Sequence, residues 1–177
     1  MTGILTTEDF TINSDSQVTD GCDVFCGNYQ KIHRIGHLII AGTGRRVTKF
    51  AFLHALKQAL AKRAEATDIF TLLSGVVVSL DLGKWVALVL DMDSKTLYHV
   101  SNEGIAPVIP PIAIGSGGTE LINAYRALSA VEKRDGIEIA DKVAVAFEVA
   151  SAADVLTGGE VQSVSLEQAL ALQEVSF

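Results

Sequence analysis

Cysteine, cationic residues and long apolar runs are all scarce in this sequence. Two cysteines, Cys22 and Cys26, are too few to build a disulfide framework. Lys and Arg number 14 against 21 Asp and Glu, and the net charge of −7 argues against a nucleic-acid partner, which needs a basic face to neutralise phosphates. The apolar run Trp85–Leu90 is short, whereas a membrane-spanning helix needs about 20 such residues. We therefore expect no contact with a membrane.

The first residues lack the features of a secretory signal. Acidic Glu8 and Asp9 stand where such a signal has its apolar segment, and no basic stretch precedes them. We therefore expect a cytoplasmic protein with reduced cysteines. Apolar residues make up 49% of the chain and charged residues 20%, which is typical of one globular domain, here spanning residues 1–177. The mean hydropathy of +0.34 is high for a soluble monomer and favours a homo-oligomer.

Hydrophobic periodicity predicts runs of strands that alternate with pairs of helices. The predicted strands are Ile4–Thr7, Phe10–Ser16, Lys31–Ile35, Leu38–Ala41, Gly75–Leu80, Trp85–Asp91, Thr96–Val100, Val108–Ile114 and Glu160–Leu166. The predicted helices are Val47–Glu65, a segment capped by Asp68 that ends at Leu73, a helix from the cap Thr119 to Arg134 that is closed by Gly136, Glu138–Ser151, and a short tail from Glu167. Residues 18–30 are expected to form a loop. This order favours an α+β fold in which helix pairs cover antiparallel sheets.

The first two strands form a predicted hairpin. If Glu8 and Asp9 are a two-residue turn, Thr7 pairs with Phe10, and counting back along the strands sets Thr2 opposite Asp15.

Two cysteines and two histidines offer the side chains of a zinc site. Cys22, Cys26, His33 and His37 follow the pattern C-x3-C, six residues, H-x3-H, but the middle gap is shorter than the usual spacing of about 12 residues or more. Core cysteines and strand histidines are the alternative interpretation, and we favour it. We expect neither a metal nor a cofactor.

Five short motifs carry a resemblance to a known family when they are taken in order. They are Ser14 to Thr19 with Asp15 inside it, Lys31 to Ile35, Ile40-Ala41-Gly42, and the glycine-rich Ala113 to Gly118 together with Asp154 to Gly159. In this order and approximate spacing, from residue 3 to about 166, the chain resembles proteasome β-subunits and the bacterial HslV-type peptidase. The resemblance implies a four-layer αββα sandwich of the N-terminal-nucleophile hydrolase type.

The resemblance also implies the chemistry of a threonine peptidase. A processed N-terminal threonine, here Thr2, attacks the peptide carbonyl, and its free α-amino group acts as the base. Asp15 and Lys31 are the implied charge pair, on neighbouring strands, and the amide of Gly42 is the implied oxyanion donor. The remaining implied residues, Ser116, Asp154 and Thr157, hydrogen-bond around the amine. The implied hairpin register places the nucleophile opposite the second residue after Asp15, which is Gln17.

Two functions follow from these residues. One is a self-compartmentalising threonine peptidase, a ring homo-oligomer that cleaves unfolded polypeptides and works with an ATP-dependent unfoldase. The other is a catalytically inactive proteasome-like subunit with an assembly or scaffold role. The presence of Asp15, Lys31, Ser116 and Asp154 favours the peptidase, whereas the short predicted hairpin favours the inactive subunit.

Overall fold

The computed structural model describes residues 3–20, 23–26, 29–62, 67–80 and 83–173. The strands in these ranges are β1 (Ile4–Thr6), β2 (Ile12–Asp15), β3 (Val18–Asp20), β4 (Asp23–Cys26), β5 (Ile32–Ile35), β6 (Leu38–Thr43), β7 (Val86–Asp91), β8 (Thr96–Ser101), β9 (Gly104–Val108), β10 (Ile112–Ile114) and β11 (Val161–Val164). The helices are α1 (Arg46–Ala61), α2 (Ile69–Val78), α3 (Gly118–Asp135), α4 (Lys142–Ala153) and α5 (Leu166–Ala169).

The strands form two main antiparallel sheets and one small one. The first sheet has the strand order β10-β1-β2-β11, and the second has the order β5-β6-β7-β8-β9. The strands β3 and β4 pair with each other in a separate two-stranded sheet. Both main sheets are therefore made of antiparallel neighbours, as the sequence predicts.

Three apolar clusters show that the elements are stacked in four layers. The middle cluster lies between the two sheets and includes Ile4 and Ile12 from the first sheet with Ile39 and Leu88 from the second. One outer cluster packs α1 and α2 on the second sheet, and the other packs α3 and α4 on the first sheet. The two faces of each strand are buried against different layers because side chains alternate along a strand. The predicted αββα sandwich is confirmed.

Several predicted element ends are confirmed because their signals are local. Asp68 caps α2 through a hydrogen bond from the Thr71 N–H to its Oδ1 at 2.8 Å. Gly136 ends α3 in the left-handed region at φ 65°, a conformation that glycine adopts without steric cost. Thr119, in contrast, is not the cap of α3. The helix begins one residue earlier at Gly118 after Gly117, without a side-chain cap.

The prediction of a strand over residues 75–80 is wrong. The helix α2 continues to Val78, although a run of β-branched valines favours a strand. Val76 is 5% exposed and packs in the same cluster as Leu72 and Leu73. Helical spacing places these three side chains on one buried face, so tertiary packing outweighs the local preference.

The loop predicted for residues 18–30 is also wrong in part, because β3 and β4 form an antiparallel pair there.

The connection between β1 and β2 is longer than the predicted two-residue turn. The chain reverses from Thr7 to Thr11, with Phe10 in the left-handed region at φ 64°. The Asp9 carboxylate accepts hydrogen bonds from the backbone N–H of Thr11 at 3.2 Å and from its hydroxyl at 2.9 Å. The two-residue turns favoured in hairpins need positive φ at one or both central residues, which Glu8 and Asp9 disfavour. The register is therefore Ile4 opposite Ser14.

None of the helices in the described ranges combines the length and the apolar character that crossing a membrane requires.

Candidate active site

A buried ion pair joins Asp15 at the end of β2 to Lys31 just before β5. Lys31 Nζ lies 2.9 Å from Asp15 Oδ1, and the two side chains are 4% and 1% exposed. Asp15 also accepts the backbone N–H of Gly3 at 2.9 Å through Oδ1 and that of Gly158 at 3.2 Å through Oδ2. Four groups thus converge at the point where β1, β2 and the segment before β11 meet.

Asp15 and Lys31 do not lie on adjacent strands, contrary to the prediction that their motif positions suggested. Asp15 belongs to the first sheet, whereas Lys31 immediately precedes the edge strand of the second sheet. Gln162 of β11 connects these two sheets at the site. It accepts a hydrogen bond from the Lys31 N–H at 3.2 Å and donates one to the Tyr29 carbonyl at 3.2 Å. The backbone around Lys31 is therefore positioned from both sheets.

Burial shifts the pKa values of both Asp15 and Lys31. Desolvation raises the pKa of Asp15 above its ordinary value of 3.8, against the opposing charge of Lys31. Desolvation likewise lowers the pKa of Lys31 below 10.5, against the charge of Asp15. A lysine whose pKa is lowered takes part more readily in proton exchange near neutral pH.

Three further side chains, Ser116, Asp154 and Thr157, form a second hydrogen-bonded cluster. Asp154 Oδ2 accepts hydrogen bonds from the Ser116 hydroxyl and, at 2.9 Å, from the Thr157 hydroxyl. Its Oδ1 accepts the backbone N–H of Leu156 at 3.1 Å. Partial burial raises the pKa of Asp154, but these hydrogen bonds outweigh it and hold the pKa below its ordinary value. The carboxylate is therefore ionised at neutral pH.

Two glycines allow the second cluster to close and to reach the ion pair. A Cβ atom at Gly117 would lie 2.6 Å from Thr157 Oγ1, and one at Gly158 would lie 2.5 Å from Gln17 Oε1. Side chains at either position would push these polar groups apart. Gly158 directly follows Thr157 and donates its N–H to Asp15, so the two clusters are neighbours.

Gly42 lies in β6 beside the start of β5. Ile32 pairs with Ala41, so Lys31 and Gly42 are the next residues along these two strands. A Cβ atom at Gly42 would lie 2.8 Å from the indole ring of Trp85, so the indole fills the space that a side chain would need.

Of the seven predicted site residues, the structure brings six into one region, and Thr2 lies outside the described residues. The six are Asp15, Lys31, Gly42, Ser116, Asp154 and Thr157. The residue opposite Asp15 is Gly3, not Thr2: the Asp15 N–H donates to the Gly3 carbonyl at 3.1 Å.

The zinc hypothesis rests on four residues with different surroundings. Cys22 lies outside the described residues, and of Cys26 only its place in β4 is described. His33 Nε2 lies 3.1 Å from Lys49 Nζ, whereas His37 Nε2 lies 3.8 Å from Asp91 Oδ1. The two histidines therefore have different neighbours.

A group of His37, Asp91 and Asp93 has the donor set for a metal ion, with ligand atoms within 4.8 Å of one another. Both oxygens of Asp91 already accept hydrogen bonds of the β7–β8 turn, from the Asp93 N–H at 3.1 Å and the Ser94 hydroxyl at 2.7 Å. These bonds account for the buried carboxylate without an ion.

Sequence reasoning missed three side chains around Lys31. Gln162 was expected only as a strand residue, Lys49 only as part of a helix, and Tyr29 only as part of a loop. Lys49 is 3% exposed, and its Nζ lies 2.7 Å from Tyr29 Oη and 3.1 Å from His33 Nε2. A lysine three residues into a predicted helix beside apolar Phe52 and Leu53 was the available signal that this residue faces inward.

Comparison with solved structures places the chain among known folds. The eukaryotic HslV from Trypanosoma brucei superposes with a TM-score of 0.68 at 21% identity, over 93% of this chain and 98% of that one. The BPH from Thiobacillus denitrificans superposes with a TM-score of 0.63 at 18% identity, over 94% and 98%. Its complex with epoxomicin gives the same score and identity. No protein-family model matches the chain. The near-complete coverage of both chains shows that this protein has the N-terminal-nucleophile hydrolase fold of the proteasome and HslV type.

Proposed function

We propose that the chain is a subunit of a threonine-type peptidase that cleaves peptide bonds in unfolded polypeptides. The observation that carries this proposal is the buried Asp15–Lys31 ion pair at 2.9 Å, next to the Ser116–Asp154–Thr157 cluster. Removing two charges from water costs several kcal/mol per ion, and a scaffold has little need of such a pair. A nucleophilic hydroxyl, in contrast, gains from a positive charge beside it.

In the proposed reaction, Thr2 becomes the first residue once Met1 is removed. Its hydroxyl oxygen attacks the carbonyl carbon of the substrate, and the hydroxyl proton passes to the free α-amino group. Lys31 favours the ionised oxygen, Asp15 holds Lys31, and the Gly42 N–H stabilises the oxyanion. The peptide nitrogen takes the proton and leaves, and water then hydrolyses the ester. The role of Ser116, Asp154 and Thr157 is to orient the amine.

We further propose that the subunit assembles into a ring and receives substrates from an ATP-dependent unfoldase. The resemblance implies this arrangement, and exposed apolar side chains support an interface between copies. Val78 is 88% exposed, Ile109 89% and Val47 81%, and an interface between copies would remove such apolar surface from water. Light scattering at micromolar concentration should give the mass of a higher oligomer, and a monomer would contradict the proposal. The predicted cytoplasmic location stays a prediction.

The mass of the intact chain and the hydrolysis of fluorogenic peptides test the catalytic proposal. We expect a mature chain that begins at Thr2, and a loss of hydrolysis of about a thousandfold or more in Thr2→Ala. Thr119→Ala, at an exposed position of α3, is the matched control and should hydrolyse at the normal rate. Because the Thiobacillus BPH was solved with epoxomicin, this compound is a useful probe, and we expect it to inhibit hydrolysis. A chain that keeps Met1 and is fully active as Thr2→Ala would contradict the mechanism.

The second candidate is a catalytically inactive subunit with an assembly role. The register of β1 and β2 favours it. The resemblance implies Gly3 opposite Ser16, whereas the structure pairs Gly3 with Asp15, a difference of one residue. A retained Met1 together with absent hydrolysis by the assembled protein would favour this candidate.

A further inference from the structure

Lys49 is a buried ammonium group whose hydrogen-bond partners among the described residues are both neutral. Its Nζ donates to Tyr29 Oη at 2.7 Å and lies 3.1 Å from His33 Nε2 and 4.1 Å from the centre of the Tyr29 ring. The residue is 3% exposed. Within the described ranges, no carboxylate lies within ion-pair distance of it. A buried ammonium normally has a carboxylate partner, because desolvation otherwise penalises the charge.

The groups around Lys49 carry an excess of positive charge. Desolvation, together with the charges of Lys31 and Arg46, lowers the pKa of Lys49 to about 7. Desolvation and the charge of Lys49 lower the pKa of His33 to about 4, so this imidazole is neutral at pH 7. The nearby carboxylate of Asp15 is already bound to Lys31. In a chain with a net charge of −7, this cluster of cations is locally unbalanced.

The start of α1 adds further positive charge near Lys49. Arg46 and Lys49 stand in its first turn, where no acidic residue is present, and the cap Arg45 makes no side-chain hydrogen bond to it. The amino end of a helix carries a partial positive charge and favours an anion. Cationic side chains there raise the local potential further. The described residues therefore create surroundings that favour an anion.

This cluster adjoins the candidate active site. Lys31 immediately precedes β5, and His33 follows it by two residues, the spacing at which side chains of an extended chain point to the same side. Tyr29 and His33, which both contact Lys49 Nζ, are themselves partly exposed and so connect the buried ammonium to the surface. An anion bound by Lys49 would therefore lie near Lys31, whose charge acts on Lys49.

We propose that Lys49, Tyr29 and His33 form a pocket that binds the carboxylate of an acidic residue of the polypeptide substrate, close to the cleaved bond. This inference rests on the proposed peptidase function. The ammonium of Lys49 and the Tyr29 hydroxyl donate hydrogen bonds to the carboxylate, and Arg46 adds long-range attraction. A neutral glutamine at the same substrate position would leave the ammonium without its counter-ion, so the pocket discriminates on charge.

The first arm of the test measures binding alone and needs no hydrolysis. Fluorescein-labelled peptides that differ only in one glutamate or glutamine are titrated into the Thr2→Ala variant, and anisotropy gives their Kd values. We expect the glutamate peptide to bind about tenfold tighter, and the ratio to fall to about one in Lys49→Met. Lys49→Arg, which keeps the charge, should restore part of the ratio. Lys62→Met, at the exposed end of α1, is the matched control and should keep it.

The second arm measures kcat/KM for the same peptide pair with the otherwise unchanged chain. A glutamate preference of about tenfold that Lys49→Met removes supports the pocket. Hydrolysis of both peptides at equal rates, with equal Kd values, overturns the pocket and leaves the peptidase proposal standing. Glutamate-selective binding that depends on Lys49, in a protein that hydrolyses nothing, supports the pocket and overturns the peptidase proposal.

Free anions are the alternative source of the same chemistry. Sodium phosphate and sodium acetate are titrated as competitors at constant ionic strength. If either displaces the glutamate peptide at a concentration close to the Kd of that peptide, the pocket binds a free anion, and the substrate assignment is overturned. If Lys49→Met does not fold, as judged by circular dichroism, the comparison of the two peptides with Lys49→Arg and the competition experiment still decide the question.

Discussion

Gln162 Oε1 accepts a hydrogen bond from the backbone N–H of Lys31 at 3.2 Å, across the interface between the two sheets. The same side chain donates to the Tyr29 carbonyl at 3.2 Å. One amide thus supports the segment that carries both the Asp15–Lys31 pair and the Tyr29 contact with Lys49. The geometry of the candidate site depends on a residue that lies 131 positions further along the chain.

Replacing this amide should weaken both the fold and the site. Gln162→Leu leaves a partly buried N–H and a carbonyl without partners, which costs about 1–3 kcal/mol in the free energy of unfolding. We expect urea denaturation to show this loss and peptide hydrolysis to fall with it. Gln58→Leu, on the exposed face of α1, is the control and should change neither quantity. Unchanged stability in Gln162→Leu would mean that other contacts hold the segment.

The costs of removing Asp15 and of removing Lys31 should not add up. Lys31→Met leaves the carboxylate buried without its cation, and Asp15→Asn presents an NH2 group where an oxygen accepts a backbone N–H. Each single change should lower the free energy of unfolding by about 3–5 kcal/mol. The double variant should lose less than the sum of the two, since no uncompensated charge remains. A double-mutant cycle from urea denaturation measures this coupling, and simple additivity would contradict it.

Gly117 should not tolerate a methyl group, whereas the neighbouring Gly118 should. In Gly117→Ala the new Cβ lies 2.6 Å from Thr157 Oγ1, which forces Thr157 away from Asp154. We expect a loss of stability of about 1–3 kcal/mol and impaired hydrolysis. In Gly118→Ala the nearest contact is an ordinary 3.4 Å, and alanine in a helix is neutral or favourable.

Removing the Thr157 hydroxyl tests whether a steric clash causes the loss of stability in Gly117→Ala. Thr157→Ala removes the hydroxyl that the new methyl group meets. Gly117→Ala should therefore cost much less stability in the Thr157→Ala variant than in the unchanged chain. Thermal unfolding of the four proteins decides the point, and an equal loss in both backgrounds would contradict a steric clash.

The stability of the protein should depend on pH through Lys49. Its folded pKa of about 7 lies below the ordinary value of 10.5, so between these values the unfolded chain holds a proton that the folded chain lacks. The free energy of unfolding therefore gains a contribution that rises with pH from 7 to 10.5. Lys49→Met removes this dependence, so any stability advantage of the variant at pH 7 should shrink toward pH 10. Denaturation at four pH values checks it, with Lys62→Met as control; parallel profiles would contradict the depressed pKa.

The sequence alone determined the features that depend on neighbouring residues. Alternation predicted most strands, the Asp68 and Gly136 caps were recognisable within four positions, and the strand and helix order predicted layered antiparallel sheets. Where local preference and packing disagree, the sequence was misleading. The valines up to Val78 favour a strand, yet α2 continues because Val76 is buried against the second sheet.

Only the tertiary structure decided how the candidate site is assembled. The motif order suggested a charge pair on neighbouring strands, but Asp15 and Lys31 meet from two different sheets. The bonds that hold them, from Gln162 and from Gly158, span 131 and 143 positions. Lys49 differs from a surface lysine of α1 only in the direction of its side chain. Such contacts depend on how the layers stack, and no local pattern in the chain encodes that stacking.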